Sequence, residues 1–198
     1  MKQWRRVGVI VACVVGALWM ARSFGGHMNQ SPPADSQYAG SEGIRATFRY
    51  PAAWTMAEEQ GRIDPYHQVR FDGPRNGDDT YTCHLVVRAS TLKEAGGRHA
   101  SMEDAAAHYR KNLLPDAVVE SEDTLTISGQ PAKDLTVRFT IPAQHKHGLK
   151  PLPIPVKARK VLIERKPYFY ELLYSCDARE YAQHEELFSR LVQSFRLQ

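Results

Sequence analysis

The chain has 198 residues, of which 42% are hydrophobic and 24% are charged, and this is enough apolar material for one domain of ordinary size. Its formal net charge is +4, but four basic and no acidic residues lie among the first 26, and the remainder holds 22 of each sign. A neutral remainder argues against a general phosphate-binding surface, so we expect no nucleic-acid partner.

The first predicted element is a hydrophobic segment. The basic start MKQWRR precedes fifteen apolar residues, Val7 to Ala21, a pattern typical of an export signal or an uncleaved anchor. Trp19 occupies the −3 position of the candidate cleavage site after Ala21, which disfavours cleavage. We predict a signal anchor or transmembrane helix at residues 1–22. The protein would then cross the cell membrane once, with its domain on the extracytoplasmic, periplasmic side. A cleaved leader is the alternative.

A flexible linker is predicted at residues 23–42, which are rich in Gly, Ser, Pro and Gln. The folded domain is predicted to span residues 43–198. It opens with IRATFRY, residues 44–50, whose apolar side chains alternate with polar ones as in a half-buried strand. Pro51 ends this strand because it has no N–H for a ladder bond. Trp54 is expected to fold back over the end of the sheet.

Six further strands and two helices follow in the prediction. Alternation and turn signals place the strands at 67–71, 81–89, 117–128, 132–141, 156–164 and 168–176. The first helix begins at the cap residue Ser101 and ends before Pro115. Its buried stripe is predicted to be Met102, Ala105, Ala106, Tyr109 and Leu113. The last helix has the apolar face Leu187, Phe188, Leu191, Val192 and Phe195.

This order of elements predicts an α+β fold, a mainly antiparallel sheet of about six or seven strands with helices packed against it. The motif F-x-Y-P-x-x-W at 48–54, a mid-chain helix, the aromatic strand YFYELLY at 168–174 and a closing helix ending in SF resemble the PsbP/DcrB-like fold. The resemblance covers residues 44–198. It implies a binding protein rather than an enzyme, without a cofactor, and it names no ligand.

Cys83 and Cys176 are the two cysteines outside the leader, and exported domains meet an oxidising environment. Cys83 lies near the start of its strand and Cys176 at the end of its own. The two residues would meet if these strands are antiparallel neighbours. We therefore predict a disulfide, with two buried thiols as the alternative.

A basic, proline-rich connection at 141–160 is the candidate binding loop. The span 145–166 carries a local charge of +6, and its prolines would hold it extended. The predicted docking residues for an acidic partner are Lys146, Lys150, Lys157, Arg159 and Lys160. Reversing the charge of the last three should abolish docking and cost less than about 1 kcal/mol of stability. The alternative is a stiffened hairpin loop whose charge keeps an edge strand soluble.

No catalytic motif is present in the sequence. His145 and His147 would point the same way on a strand and are weak candidates for a metal, but no third ligand lies nearby. HEELF at His184 lacks a second histidine at Phe188, which favours the core face of a helix. Asp78 and Asp79 favour a turn over a calcium site.

Three functions are compatible with these observations. The leading interpretation is a membrane-tethered extracytoplasmic binding or accessory module without catalytic activity, with an acidic protein as candidate partner. The alternative is a chaperone-like protein that binds a hydrophobic segment of its partner, as DcrB-like effector chaperones do. The third is a small hydrolase or metal enzyme that uses the exposed histidines.

Overall fold

The computed structural model describes residues 34–61, 66–143 and 152–198. The strands there are β1 (Asp35–Tyr38), β2 (Ala46–Pro51), β3 (Thr55–Gln60), β4 (Tyr66–Arg75), β5 (Thr82–Thr91), β6 (Val118–Ile127), β7 (Gln130–Ala143), β8 (Leu152–Arg165), β9 (Tyr168–Asp177) and β10 (Arg196–Leu197). The helices are α1 (Met102–Lys111) and α2 (Tyr181–Ser194). The predicted α+β class with a mainly antiparallel sheet is confirmed. Neither of these two helices is long and apolar enough to span a membrane, and the predicted anchor at 1–22 lies outside the described residues.

The strands form two antiparallel sheets. The larger has seven strands in the order β3-β4-β5-β9-β8-β7-β6, and the smaller has the order β1-β2-β10. In the larger sheet every neighbouring pair is consecutive in the chain except β5 and β9, which place Leu85 opposite Tyr174. The last strand before α1 therefore lies beside the last strand of this sheet in the chain.

The two faces of the seven-stranded sheet are covered by different elements. On one face, α2 and the small sheet bury a cluster of aromatic and aliphatic side chains that includes Phe48, Tyr174 and Phe188. On the other face, α1 packs on β7 and β8, where Ala106 and Leu162 are buried together. Small residues on α1 allow the helix to lie close to the sheet, whereas α2 presents large ones.

The first helix begins at the predicted cap residue but ends earlier than expected. The hydroxyl of Ser101 accepts a hydrogen bond from the backbone N–H of Asp104 at 3.2 Å and so caps α1. Met102, Ala105 and Ala106 are buried as expected. Tyr109 is only half-buried and Leu113 lies beyond the helix end, because α1 ends at Lys111.

The stretch FRYPAAWTM forms the corner between β2 and β3. The backbone N–H of Trp54 donates to the carbonyl of Pro51 at 3.0 Å, which turns the chain immediately after β2. The indole of Trp54 is 9% exposed. The indole fills the space beside Gly73. A Cβ atom at position 73 would lie only 2.5 Å from the nearest indole carbons. The edge of the His184 ring also approaches it, with 6.1 Å between ring centres.

Three strands were not predicted. β1 pairs with β2, placing Tyr38 opposite Phe48, so residues 35–38 of the predicted linker at 23–42 form a strand. The stacking of the buried Tyr38 ring on Phe48, with 4.8 Å between centres, stabilises this strand. β3 and β10 are edge strands of the large and small sheets.

Candidate functional site

The predicted disulfide between Cys83 and Cys176 is present. Cys83 lies on β5 and Cys176 on β9, directly beyond the paired residues His84 and Ser175. Their Cα atoms are 4.4 Å apart and both residues are buried. The bond therefore joins the two central strands that are distant in sequence.

The structure contradicts the prediction of a basic binding loop for three of its residues. Lys157, Arg159 and Lys160 lie on β8, so Lys160 points to the opposite face from the other two. The Nζ of Lys157 is 2.9 Å from a carboxylate oxygen of Glu120, and the guanidinium of Arg159 is 2.6 Å from Asp134. These residues cannot form one docking surface, because acids from neighbouring strands neutralise them. Lys146 and Lys150 lie outside the described residues.

Lys160 belongs to a polar network on the α1 side of the large sheet. Its Nζ is 2.8 Å from the carboxylate of Glu171 and 4.3 Å from the ring centre of Tyr109. Burial alone would raise the pKa of Glu171, but the charge of Lys160 and its hydrogen bond outweigh burial and hold that pKa below its ordinary value. Burial raises the pKa of Tyr109 to about 12. Near neutral pH Glu171 is therefore charged and Tyr109 is neutral.

The candidate metal ligands His145 and His147 lie outside the described residues. Within the described ranges, no group of three or more His, Cys, Asp or Glu residues could hold a metal ion. His184 lies on α2 beside Trp54, and burial lowers the pKa of its imidazole. Asp78 forms an ion pair with Arg179 at 2.7 Å.

A basic surface occurs instead on the outer side of the three-stranded sheet. Phe48 of β2 points into the core, so the alternate residues Thr47 and Arg49 point outward. Arg196 of β10 lies opposite Thr47, which shares that outer side. Arg190 of α2 adjoins Arg49 and Arg196 in the lining of a cavity. Arg45, just before β2, instead lies over the ring of Tyr168 at 5.4 Å. We call this surface the arginine face and define it by Arg49, Arg190 and Arg196.

A cavity of about 440 Å³ opens on the arginine face, between β2 and the last turn of α2. We call it the arginine pocket. Phe48 borders it, but its ring is buried in the core on the other side of the small sheet. The polar residues that line it are Gln37, Thr47, Arg49, Arg190, Gln193, Ser194 and Arg196. The lining is therefore polar and strongly basic.

The three arginines of the pocket differ in their partners. Arg190 binds Asp35 at 3.1 Å and Glu186 at 3.5 Å, and its pKa is raised chiefly by the hydrogen bond to Asp35. Arg196 donates two hydrogen bonds of 2.8 Å to backbone carbonyls at the end of α2. The guanidinium of Arg49 forms no ion pair within the described part of the chain. Two guanidinium groups thus face the pocket without a neutralising acid.

Sequence analysis found part of this site. The alternation of residues 44–50 already placed Arg45 and Arg49 on the solvent side of a strand. Arg190 and Arg196 were missed, because they reach the same place only through the packing of α2 and the pairing of β10 with β2. No spacing in the sequence signals that convergence.

No protein family and no curated protein matches the chain in sequence. Among solved structures, the solution structure of PsbP (CyanoP) from the cyanobacterium Synechocystis sp. PCC 6803 matches with a TM-score of 0.51, over 89% of this chain and 99% of its own. The chain has a PsbP-like fold. The resemblance inferred from the F-x-Y-P-x-x-W motif is therefore confirmed. Sequence identity is 14%, so the likeness concerns the fold alone.

Two further structures are similar to this PsbP-like chain at slightly lower scores. LpqN of Mycobacterium tuberculosis, described as involved in cell envelope biogenesis, has a TM-score of 0.49 and 14% identity, over 83% of this chain and 90% of its own. The Pseudomonas aeruginosa protein PA94 has a TM-score of 0.49 and 19% identity, over 80% and 94% respectively.

Proposed function

We propose that the protein is a membrane-tethered, extracytoplasmic binding module without catalytic activity, and that its ligand is an anionic molecule that docks on the arginine face. One observation carries the proposal. Arg49 and Arg196 have no acidic partner in the described ranges, whereas Lys157, Arg159 and Lys160 are all paired with acids. Uncompensated charge at a concave surface favours a ligand of opposite sign.

Two features support an extracytoplasmic location. The disulfide between Cys83 and Cys176 belongs to an oxidising compartment. The basic start followed by the apolar run to Ala21 is typical of an exported, anchored protein. Protease added to intact spheroplasts should digest the domain, and a domain protected until lysis would contradict this part of the proposal.

The state of the buried acids supports a role without catalysis. In the described part of the chain, Asp177 and Glu171 each lie in an ion pair with a basic side chain, and these contacts hold the pKa of each carboxyl below its ordinary value. A carboxylate engaged in this way is stabilised in its charged form and is a poor general acid or base near neutral pH.

Charge reversal tests the binding site. In the double variant Arg49→Glu/Arg196→Glu, recovery of cross-linked partners from intact membranes should fall about tenfold or more, since charge-assisted contacts are lost. The matched control is Lys93→Glu/Lys111→Glu, which makes the same charge change at two exposed positions elsewhere. Recovery by the unaltered protein should fall as salt rises, because exposed charges act over about 8 Å at physiological salt. Equal recovery by both double variants would refute the proposed site.

The chaperone-like alternative is favoured by one observation. β6 is an edge strand whose Val118 and Val119 are 54% and 39% exposed, and Leu114 beside them is 44% exposed. An exposed apolar edge can pair with an extended apolar segment of another protein. In that case Val118→Lys/Val119→Lys would abolish capture of the partner, and reversal of Arg49 and Arg196 would leave it intact.

A further inference from the structure

The arginine pocket contains donors and acceptors that the fold does not use. Within the described residues, the guanidinium of Arg49 and the side chains of Gln37, Thr47 and Gln193 form no hydrogen bond or ion pair. Ser194 is occupied: its Oγ donates to the carbonyl of Leu191 at 3.0 Å and accepts the backbone N–H of Arg49 at 2.9 Å. The free groups comprise one cation, two amides and one hydroxyl. Together they can bind both an anionic group and uncharged hydroxyls.

The basic groups suit a phosphoryl group. Three guanidinium groups reach the pocket from three elements, Arg49 from β2, Arg190 from α2 and Arg196 from β10. A phosphate monoester offers three acceptor oxygens and a charge of about −1.5 to −2, so it can bind several forked donors at once. A carboxylate offers two oxygens and a single charge.

The C-terminal end of α2 does not repel an anion in the arginine pocket. The C-terminus of a helix carries partial negative charge on its free carbonyls. At this end, the guanidinium of Arg196 covers the carbonyls of Gln193 and Phe195, and the hydroxyl of Ser194 covers that of Leu191. The negative end of the helix is thereby neutralised by the residues that line the pocket.

The size and the lining of the pocket indicate that the ligand has a hydroxylated body. A volume of about 440 Å³ falls within the range of about 300–1,000 Å³ that small-molecule sites occupy, well above the need of an inorganic ion. The side chains beyond the arginines are the amides of Gln37 and Gln193 and the hydroxyls of Thr47 and Ser194. Amides and hydroxyls match sugar hydroxyls.

We propose that the arginine pocket binds a phosphorylated sugar or polyol, with the phosphoryl group on Arg49 and Arg196 and the hydroxylated body against Thr47 and Gln193. This inference rests on the proposed function and names the class of its ligand. Free sugar phosphates and phosphorylated headgroups of lipids or glycans share this chemistry. Soluble probes and vesicles can distinguish the two sources.

Calorimetric titration of the purified protein tests the inference. The probes are glucose 6-phosphate, glycerol 3-phosphate, inositol 1-phosphate, inorganic phosphate, glucose and glucuronate, together with vesicles that contain phosphatidylinositol phosphate. At least one phosphorylated polyol, or the vesicles, should bind about tenfold or more tightly than inorganic phosphate, because the body adds hydrogen bonds to the phosphoryl contacts. Binding to the soluble probes indicates a free metabolite, and binding to the vesicles alone indicates a lipid headgroup.

Three single variants assign the contacts. Arg49→Gln should weaken phosphate and phosphorylated polyol alike, whereas Gln193→Leu should weaken only the polyol. Lys111→Gln, an exposed change on α1, should alter neither. Binding that survives Arg49→Gln, or a Gln193→Leu variant that binds like the unaltered protein, would overturn the assignment.

The outcomes separate the ligand class from the proposed function. If glucuronate binds as tightly as every phosphorylated probe and this binding needs Arg49, the phosphoryl preference is wrong and the anionic docking face stands. If no phosphorylated polyol exceeds inorganic phosphate, the hydroxylated body is wrong. If no anionic probe binds and reversal of Arg49 and Arg196 leaves partner recovery unchanged, both proposals fail.

Discussion

Replacing Arg159 by Met should strongly destabilise the protein, in contrast to the sequence-based expectation that charge changes on this segment are nearly neutral. The guanidinium donates hydrogen bonds of 2.6, 3.0 and 3.1 Å to the carboxylate of Asp134 and one of 3.3 Å to Ser189. It also lies 5.5 Å from the ring centre of Phe188. These contacts connect β7 and β8 to α2.

The magnitude follows from the burial of the partner. Asp134 is 6% exposed, so removing the arginine leaves a buried carboxylate without its counter-charge, at a cost of about 3–5 kcal/mol. We expect about 3 kcal/mol, because the side chain of Arg159 is itself 21% exposed and water can replace part of its contacts. In the double variant Asp134→Leu/Arg159→Met no charge is left unpaired. Most of the loss should then be recovered.

Urea unfolding followed by tryptophan fluorescence, with the disulfide intact, measures these differences. The matched control is Arg138→Met, which removes an arginine that is 58% exposed and paired with Glu120 at 3.1 Å. This change should cost less than about 1 kcal/mol. If Arg159→Met costs no more than Arg138→Met, or if the double variant is less stable than the single one, the pair does not stabilise the fold as described.

Three other predictions concern the rest of the domain. Reduction of the Cys83–Cys176 disulfide should lower the urea midpoint. The bond closes a loop with a sequence separation of 93 residues, and such a bond typically stabilises a fold by about 2–4 kcal/mol. An unchanged midpoint would contradict this prediction. Trp54→Ala should cost about 3–5 kcal/mol in urea unfolding followed by far-UV circular dichroism, because it empties the space beside Gly73; fluorescence cannot serve here, since the other two tryptophans are Trp4 and Trp19. A loss below about 1 kcal/mol would show that the site collapses freely. Hydrogen bonds, chiefly from Arg179, hold the pKa of Asp177 at about 2, below its ordinary 3.8. Its contribution is therefore present above about pH 4 and lost as pH falls towards 2. Asp177→Asn should flatten the pH dependence of stability in that window, and an unaltered slope would contradict the assignment.

Most of the strands that sequence analysis located have buried side chains along their length, and the exception is β6, an exposed edge strand that the turn signals around it delimited. The segment 168–176 was predicted as a strand and is observed as β9, whose Phe169, Tyr170, Leu172 and Tyr174 are buried. β3 has five exposed residues out of six because it is an edge strand that pairs only with β4. β1 buries a single residue, Tyr38. Such strands are formed by backbone pairing with a neighbour and leave no periodic signal in the sequence.

The predicted docking role of Lys157, Arg159 and Lys160 was wrong for a related reason. The local charge of +6 was counted along the chain, whereas the acids that neutralise Lys157, Arg159 and Lys160 come from β6, β7 and β9. Conversely, the arginine face gathers residues from positions 49 to 196 that a local count keeps apart. A charge sum along the sequence describes a surface only where neighbours in the chain are also neighbours in the fold.

Because β5 pairs with β9, the domain can be divided into two chain fragments that each keep their own hairpins. β3, β4 and β5 form one run of consecutive hairpins and β6 to β9 form another, and eight residue pairs of β5 and β9 join the runs. A break between Gly96 and Gly97, in the connection before α1, leaves each run intact. Fragments 1–96 and 97–198 would then complement each other on co-expression in an oxidising compartment. The Cys83–Cys176 bond would then join the two reassembled fragments covalently. The joined fragments would migrate as one band on a non-reducing gel.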